Sequence, residues 1–323
     1  MHKNEEKFCH FKIHTQYSIC EGAIKIDDLS EYCKNNKVRS IGISDSYNLC
    51  GALEFAEKIS KSGTQPIIGS QINFLVDEEL GKLSLYAKTE KGYKNLIKLS
   101  SKSYLSSDEK SDPHCKVEDL KEFNEDLILL TGNHNDLFGK IYKSNKLKNL
   151  KKLLFTINEI FIGRTYVEIQ RHAEIGEKSF EDYILQLSKT LKIPIIASQE
   201  IYYINQDMFE AHDALMCIGQ KSYVEDNKRV KLSDQHFIKS NDQLKNLYKD
   251  IPEALENNYN FPLRFNFKPK KSKPILPSIS TNKDTTIENE LMGQAKNGLK
   301  ERLNNFIFKK NNSQPHNEII KLY

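Results

Sequence analysis

Short apolar runs rich in β-branched residues recur along residues 8–219, and amphipathic helical stretches separate them. This alternation limits what the chain can fold into more than any single motif does. Pro66-Ile67-Ile68-Gly69 and Ile193-Pro194-Ile195-Ile196-Ala197 are apolar throughout, as buried parallel strands are. Strands are predicted at 8–14, 39–44, 66–74, 82–87, 126–130, 164–169 and 193–198. Between them the spacing predicts helices. One covers 179–191, where Phe180, Ile184, Leu187 and Leu191 recur three and four apart; another covers 91–104, striped by Tyr93, Leu96, Ile97 and Tyr104. Repeated β-α units with parallel strands specify an α/β layer or barrel. In such barrels chemistry gathers at the C-terminal strand ends, where His14, Asp45, Gln71 and Glu200 fall.

Past about residue 220 the pattern changes. Residues 237–248 read as a strand and a short helix, and Asp250-Ile251-Pro252-Glu253-Ala254-Leu255 as a helix start. A basic, proline-punctuated connector follows, Phe267 to Pro277. Its Lys268, Lys270, Lys271 and Lys273 are candidates for contact with phosphate or an acidic partner, set against the plainer reading of a solvated linker. A last helix is expected from Thr285, with Glu288 completing a capping box. Its stripe of Ile287, Leu291, Ala295, Leu299 and Leu303 requires a packing partner.

No run of about 18 apolar residues exists to span a membrane, and Met1 to Lys7 lacks the apolar segment of a secretory signal. A cytoplasmic location is expected. The six cysteines form no C-x-x-C pair and read as small core residues of a reducing compartment. A net charge of +4 over 323 residues is no nucleic-acid signature by itself.

Several segments, taken in order, resemble one family. They are Phe11-Lys12-Ile13-His14-Thr15, Ile43-Ser44-Asp45-Ser46, Pro66-Ile67-Ile68-Gly69, Gly92-Tyr93-Lys94-Asn95-Leu96, Tyr166-Val167-Glu168-Ile169-Gln170-Arg171-His172, Glu210-Ala211-His212-Asp213, Asp250 to Leu255, and Lys273-Pro274-Ile275-Leu276-Pro277. Together they resemble the N-terminal region of bacterial DNA polymerase III alpha subunits, which opens with a PHP (polymerase and histidinol phosphatase) domain. The resemblance implies an α/β fold: a PHP-type distorted (β/α)7 barrel, then a basic connector and a C-terminal helix. It divides the chain into a barrel at 8–220, a barrel-completing segment at 221–265, the connector at 266–284, a polymerase-proximal helical region at 285–308 and a polar tail at 309–323. No Pro-Asp-x-Asp-x-Asp run of a polymerase palm is present, so the chain alone is expected to make no DNA.

Metal-active PHP domains bind divalent ions through histidines and carboxylates. Carried over, that ligand set is mostly replaced here. The first histidine of a His-x-His pair is Lys12 and the second is His14; the following aspartate is Glu21. Asp45 is kept, but the histidine after it is Ser46, and a carboxylate gives way to Gln71. Lys82 stands where the family often has histidine, Asn133 near a cysteine or histidine position, and Glu200 and Tyr202 at a closing Asp-x-His. A lysine about 4 Å from a divalent ion meets roughly 8 kcal/mol of repulsion at an effective dielectric of 20. No bound metal or other cofactor is therefore expected, and direct charge pairs, Glu21 with Lys12 and Glu200 with Lys12 or Lys82, are expected in its place.

The expected role is a structural and docking module in DNA replication. Its partners would be the proofreading exonuclease (epsilon) subunit and other polymerase III holoenzyme parts, with DNA touched only indirectly and no membrane. The alternatives are a divalent-metal phosphoesterase or 3′-exonuclease with an altered ligand set, and a truncated remnant without function.

Overall fold

A computed structural model describes residues 7–107, 111–275 and 285–308, with Asn317 and Lys321 singly. Most of the polar tail and the connector's 276–284 lie outside the described residues. The chain forms two compact units, Met1–Lys271 and Ser272–Tyr323.

Among its described residues the first unit has eight strands: β1 (Lys12–Ile13), β2 (Ser40–Ser46), β3 (Gln65–Val76), β4 (Glu79–Ala87), β5 (Leu127–Leu130), β6 (Thr165–Ile169), β7 (Ile195–Ala197) and β8 (Glu200–Ile201). Six of them pair in the order β2-β3-β4-β5-β6-β7, and β1 pairs with β8 in parallel. A bridge from His10 to Ile41 ties the run into β1 to β2, so the sheet curls toward closure. Each of the seven predicted strands overlaps an observed one, whereas the strand read at the start of 237–248 is only an isolated bridge from Phe237 to Tyr203. The parallel expectation fails at β4, which runs antiparallel to both neighbours. The cause is a two-residue turn in which Asp77 and Glu78 both take positive φ, 46° and 72°. Such a turn matches the twist of a hairpin, and a parallel return needs a much longer crossover.

Strand alternation sorts the side chains. Outward residues Ile41, Ile43 and Ile68 pack with Leu29, Phe55 and Ile59 of two covering helices. Ile72, Leu83, Leu85, Leu129 and Val167 pack with Leu96, Leu99, Leu154 and Ile184 of others. Inward residues change character along the strands. At one end Ile67, Tyr86, Ile128, Tyr166 and Ile196 form an apolar plug with Phe11, Phe261 and Phe265. Toward the other end the same parity brings Ser44, Gln71, Ser84 and Glu168 inside, all buried. A polar group placed there must find partners within the protein.

Residues beyond 220 take part in the closure. Asn258, on the helix Pro252–Asn260, is fully buried. Its Oδ1 accepts from the Cys9 backbone N–H at 2.8 Å, and its Nδ2 donates to the carbonyls of Cys9 at 3.0 Å and Ala197 at 2.9 Å. One side chain thus joins the end of β7 to the segment leading into β1.

Two helical expectations need correction. In the helix Glu90–Leu105 the buried face is Gly92, Asn95, Leu96, Leu99 and Ser103, whereas Ile97 and Tyr104 are exposed. Gly92 fixes that rotation, because a side chain there would collide with the Asp126 carbonyl. In the second unit the helix is Ile287–Arg302, capped by Thr286, not Thr285, through the Asn289 N–H. Counting from Thr286 puts Asn289 at the position where a capping box needs Glu or Gln, so Glu288 does not complete one. Ile287, Leu291 and Met292 on this helix are exposed. Among the described residues no helix is long and apolar enough to cross a membrane.

Candidate functional site

At the polar end of the sheet interior, Lys12 has no exposed surface. Its Nζ lies 3.3 Å from Glu168 Oε2, 3.4 Å from Asp136 Oδ2 and 3.9 Å from Glu200 Oε1. Burial opposes its charge, but the fields of Glu168, Glu200 and Asp136 outweigh burial and hold the ammonium above the ordinary lysine range. Gly132 makes room for this arrangement. Its φ is +82°, a side chain there would strike Asp136, and its N–H donates to Glu168 Oε2 at 3.0 Å.

Glu200 is the hub of the remaining predicted positions. Its Oε1 accepts from Gln71 Nε2 at 2.5 Å and lies 2.9 Å from His14 Nε2, while its Oε2 accepts from Asn133 Nδ2 at 2.8 Å. Burial pushes its pKa up; Lys12 and His14 more than reverse that, and the carboxyl sits well below its usual range. Tyr202 stacks on His14, with ring centroids 4.4 Å apart.

A second group forms one wall. Glu21 pairs with Lys82 at 3.0 Å, not with Lys12, and also accepts from Ser46 Oγ at 2.5 Å. Lys12 is unavailable to it because Glu168 and Asp136 already claim its ammonium. Burial would raise the Glu21 carboxyl, yet Lys82 and His14 bring it below the usual value. Asp45 stays apart from both lysines. It accepts from the Thr15 N–H at 2.7 Å, the Thr15 hydroxyl at 2.8 Å and Ser18 Oγ at 2.7 Å, and burial raises its pKa despite them.

The structure therefore gathers Lys12, His14, Gln71, Asn133 and Glu200 in one network and Glu21, Ser46 and Lys82 in a neighbouring one, with Tyr202 stacked above His14. It also adds members that sequence reasoning did not select. Glu168 had a signal, since alternation from Tyr166 turns it inward. Asp136, beside the short helix Leu137–Lys143, had none. A histidine cluster also borders the site: His236 Nε2 lies 3.1 Å from Glu174 Oε1, and His134 Nε2 lies 3.2 Å from Glu174 Oε2. His172 stacks face to face on His236 at 4.0 Å. Burial first, then His236 and Lys239, push His172 well below the ordinary histidine range. His212 contacts the Glu21 carbonyl at 2.7 Å. Among the described residues, no three His, Cys, Asp or Glu side chains are arranged to hold a metal ion.

Above the network opens a cavity of about 650 Å³, lined by Glu21, Tyr47, Lys82, Asn133, Glu200 and Tyr202 among others. The connector lysines Lys268 and Lys271 lie elsewhere. They contact Ser60 at 3.0 Å and Glu57 at 2.9 Å, both on the outer helix Ala52–Lys61, and Lys270 is exposed.

A curled sheet, covered by helices outside and polar at one interior end, is the architecture the resemblance implied. The family model for the PHP domain matches residues 10–172, about half of the chain, and the chain belongs to the PHP domain family. The relatives it resembles are DNA polymerase III alpha subunits. That of Caulobacter vibrioides is 33% identical over 304 residues, which cover 92% of this chain and 27% of the relative. That of Rickettsia bellii is 33% identical over 318 residues, covering 98% and 27%. The chain thus spans about a quarter of the length of these relatives. Among solved structures, one from Bifidobacterium adolescentis proposed to be a metal-dependent phosphoesterase aligns with 60% of this chain and 86% of its own, at 10% identity and a TM-score of 0.42.

Proposed function

We propose that this chain is the PHP-domain portion of a replicative DNA polymerase III alpha subunit, and that it works as a structural and docking module whose own lysines have replaced a metal cluster. The observation that carries the reading is Lys12, enclosed by Glu168, Asp136 and Glu200 within 3.9 Å. The carboxylates that a cation would need already hold an ammonium. His14 is engaged by Glu200, and Glu21 by Lys82. A divalent ion entering there would have to displace a lysine that cannot leave without exposing three buried carboxylates. The residues present do not fit a metal cluster, so no hydrolytic step is assigned to them.

What remains is a rigid domain that presents surface. Its partners in this reading are the proofreading exonuclease subunit and the rest of the polymerase. The test is calorimetric titration of the purified chain with the exonuclease from the same cell, with metal content assayed on the same sample. Micromolar or tighter binding by metal-free protein supports the reading. Stoichiometric metal with phosphoesterase activity, both lost in His14→Ala, would overturn it in favour of an enzyme.

A further inference from the structure

We infer that the rim of the cavity is a docking surface for a segment of a partner protein that presents aliphatic side chains beside an acidic one; this deepens the docking reading above and rests on it. Three pieces of chain meet at this rim. The loop at Ile19 and Cys20 packs on the last turn of the helix Phe209–Gln220, where a side chain at Gly219 would strike Cys20. The following loop returns to the same helix end. Gln220 Nε2 donates to the Val230 carbonyl at 3.0 Å, and the Val230 N–H donates to Gln220 Oε1 at 2.8 Å. Arg229 grips Asp213 with both guanidinium nitrogens, at 2.5 and 2.7 Å, and both side chains are buried.

This corner of the molecule turns several apolar side chains outward. Ile19 is 81% exposed, Ile218 71%, Tyr223 76% and Val230 62%. A pinned surface with clustered exposed aliphatics marks an interaction site.

Charge selects the occupant. Of the cavity-lining carboxylates, Glu21, Asp136 and Glu200 are paired with Lys82 or Lys12, Glu174 contacts His134 and His236, and Asp112 has no ion pair among the described residues. Three lining lysines are left over against that one carboxylate. Lys140 bonds the Leu80 carbonyl at 2.7 Å and Lys143 the Asn135 amide oxygen at 2.6 Å, neither of which neutralises it. Lys231 has no ion pair among the described residues. An acidic side chain reaching the mouth would find these three, while its aliphatic neighbours cover Ile19, Ile218 and Val230.

The test is selection of displayed random peptides of about 12 residues on the EDTA-dialysed full chain, repeated on the double variants I218D/V230D and K143E/K231E. Enriched peptides should carry Asp or Glu next to Leu, Ile or Val, and should weaken by about tenfold or more on each double variant. Binding should be unchanged on K189Q/K192Q, which removes charge outside the cavity. No enrichment, or binding indifferent to both rim variants, overturns the surface. So does a concentration-dependent dimer abolished by I218D/V230D, which would assign the rim to a second copy. Exonuclease that binds wild type and both rim variants equally would overturn this surface and leave the docking reading standing. Peptide binding without any exonuclease binding would do the reverse.

Discussion

Lys12 and Glu168 face each other at 3.3 Å with neither side chain reaching solvent. They come from β1 and β6, far apart in sequence, and each satisfies a charge that the sheet interior would otherwise expel. Lys12 therefore acts as the internal counter-ion of the whole polar end.

Lys12→Met leaves Glu168, Asp136 and Glu200 without it. Breaking a buried ionic cluster by removing one partner costs about 3–5 kcal/mol. Urea denaturation at pH 7 should show a loss of that size. Part of it should return as pH falls and the stranded carboxyls take up protons. Lys12→Ala should in addition be stabilised by millimolar manganese or zinc in a thermal melt, whereas the wild type should not respond. A Lys12→Met protein as stable as wild type would show that the lysine is dispensable.

The Lys82–Glu21 pair is partly exposed, so its removal should be milder. Lys82→Met and Glu21→Gln are each expected to cost about 1 kcal/mol, and the double variant less than their sum, since the pair is one interaction. The Glu21 carboxyl is held below its unfolded value, so its contribution is present above that value and fades as pH falls through the folded one. Additive losses in a double-mutant cycle would break the assignment.

His10 supplies the clearest acid dependence. Its ring lies 3.0 Å from the Lys239 carbonyl through Nε2, and its buried Nδ1 has no partner among the described residues. Burial, only partly offset by that carbonyl, lowers its pKa to about 4. The unfolded chain therefore binds a proton that the folded one refuses. Stability is complete above about pH 6.5 and falls as pH drops toward 4, by about 3 kcal/mol in all. His10→Gln should flatten the stability–pH curve in that window by close to one proton. An unchanged slope would mean that the imidazole takes up its proton in the folded state.

Asn258→Ala removes three hydrogen bonds and orphans buried backbone groups of Cys9 and Ala197, at an expected cost of about 3 kcal/mol. Asn258→Asp should cost at least as much, because a carboxylate cannot donate to either carbonyl. Chemical denaturation of both variants checks this, and a loss below about 1 kcal/mol would show the junction closing by other means.

Much of this was legible in the sequence. The seven predicted strands all overlap observed ones because buried strands are short, apolar and bounded by turn residues, and Pro66 to Gly69 and Ile193 to Ala197 show this plainly. The reversal of β4 was missed, although only a few residues separate 66–74 from 82–87, too few for a parallel crossover. The candidate positions met because a shared strand end brings them together whatever their spacing. Pairing was harder. Glu21 has two lysines to choose from, and depth inside the sheet, which no linear pattern encodes, gives Lys12 to Glu168 and Asp136. Glu174 and His236 meet only through the tertiary fold.

The junction at Asn258 also fixes where this chain can be cut. A product ending near residue 220 would keep all eight strands and the whole charged network, yet lack the side chain that joins Cys9 to Ala197 and the Phe261 and Phe265 rings that seal the opposite end. Such a piece would hold its counter-ion beneath an open floor. The boundary that matters for expression, and for limited proteolysis, therefore falls after Phe265 and not where the strands stop.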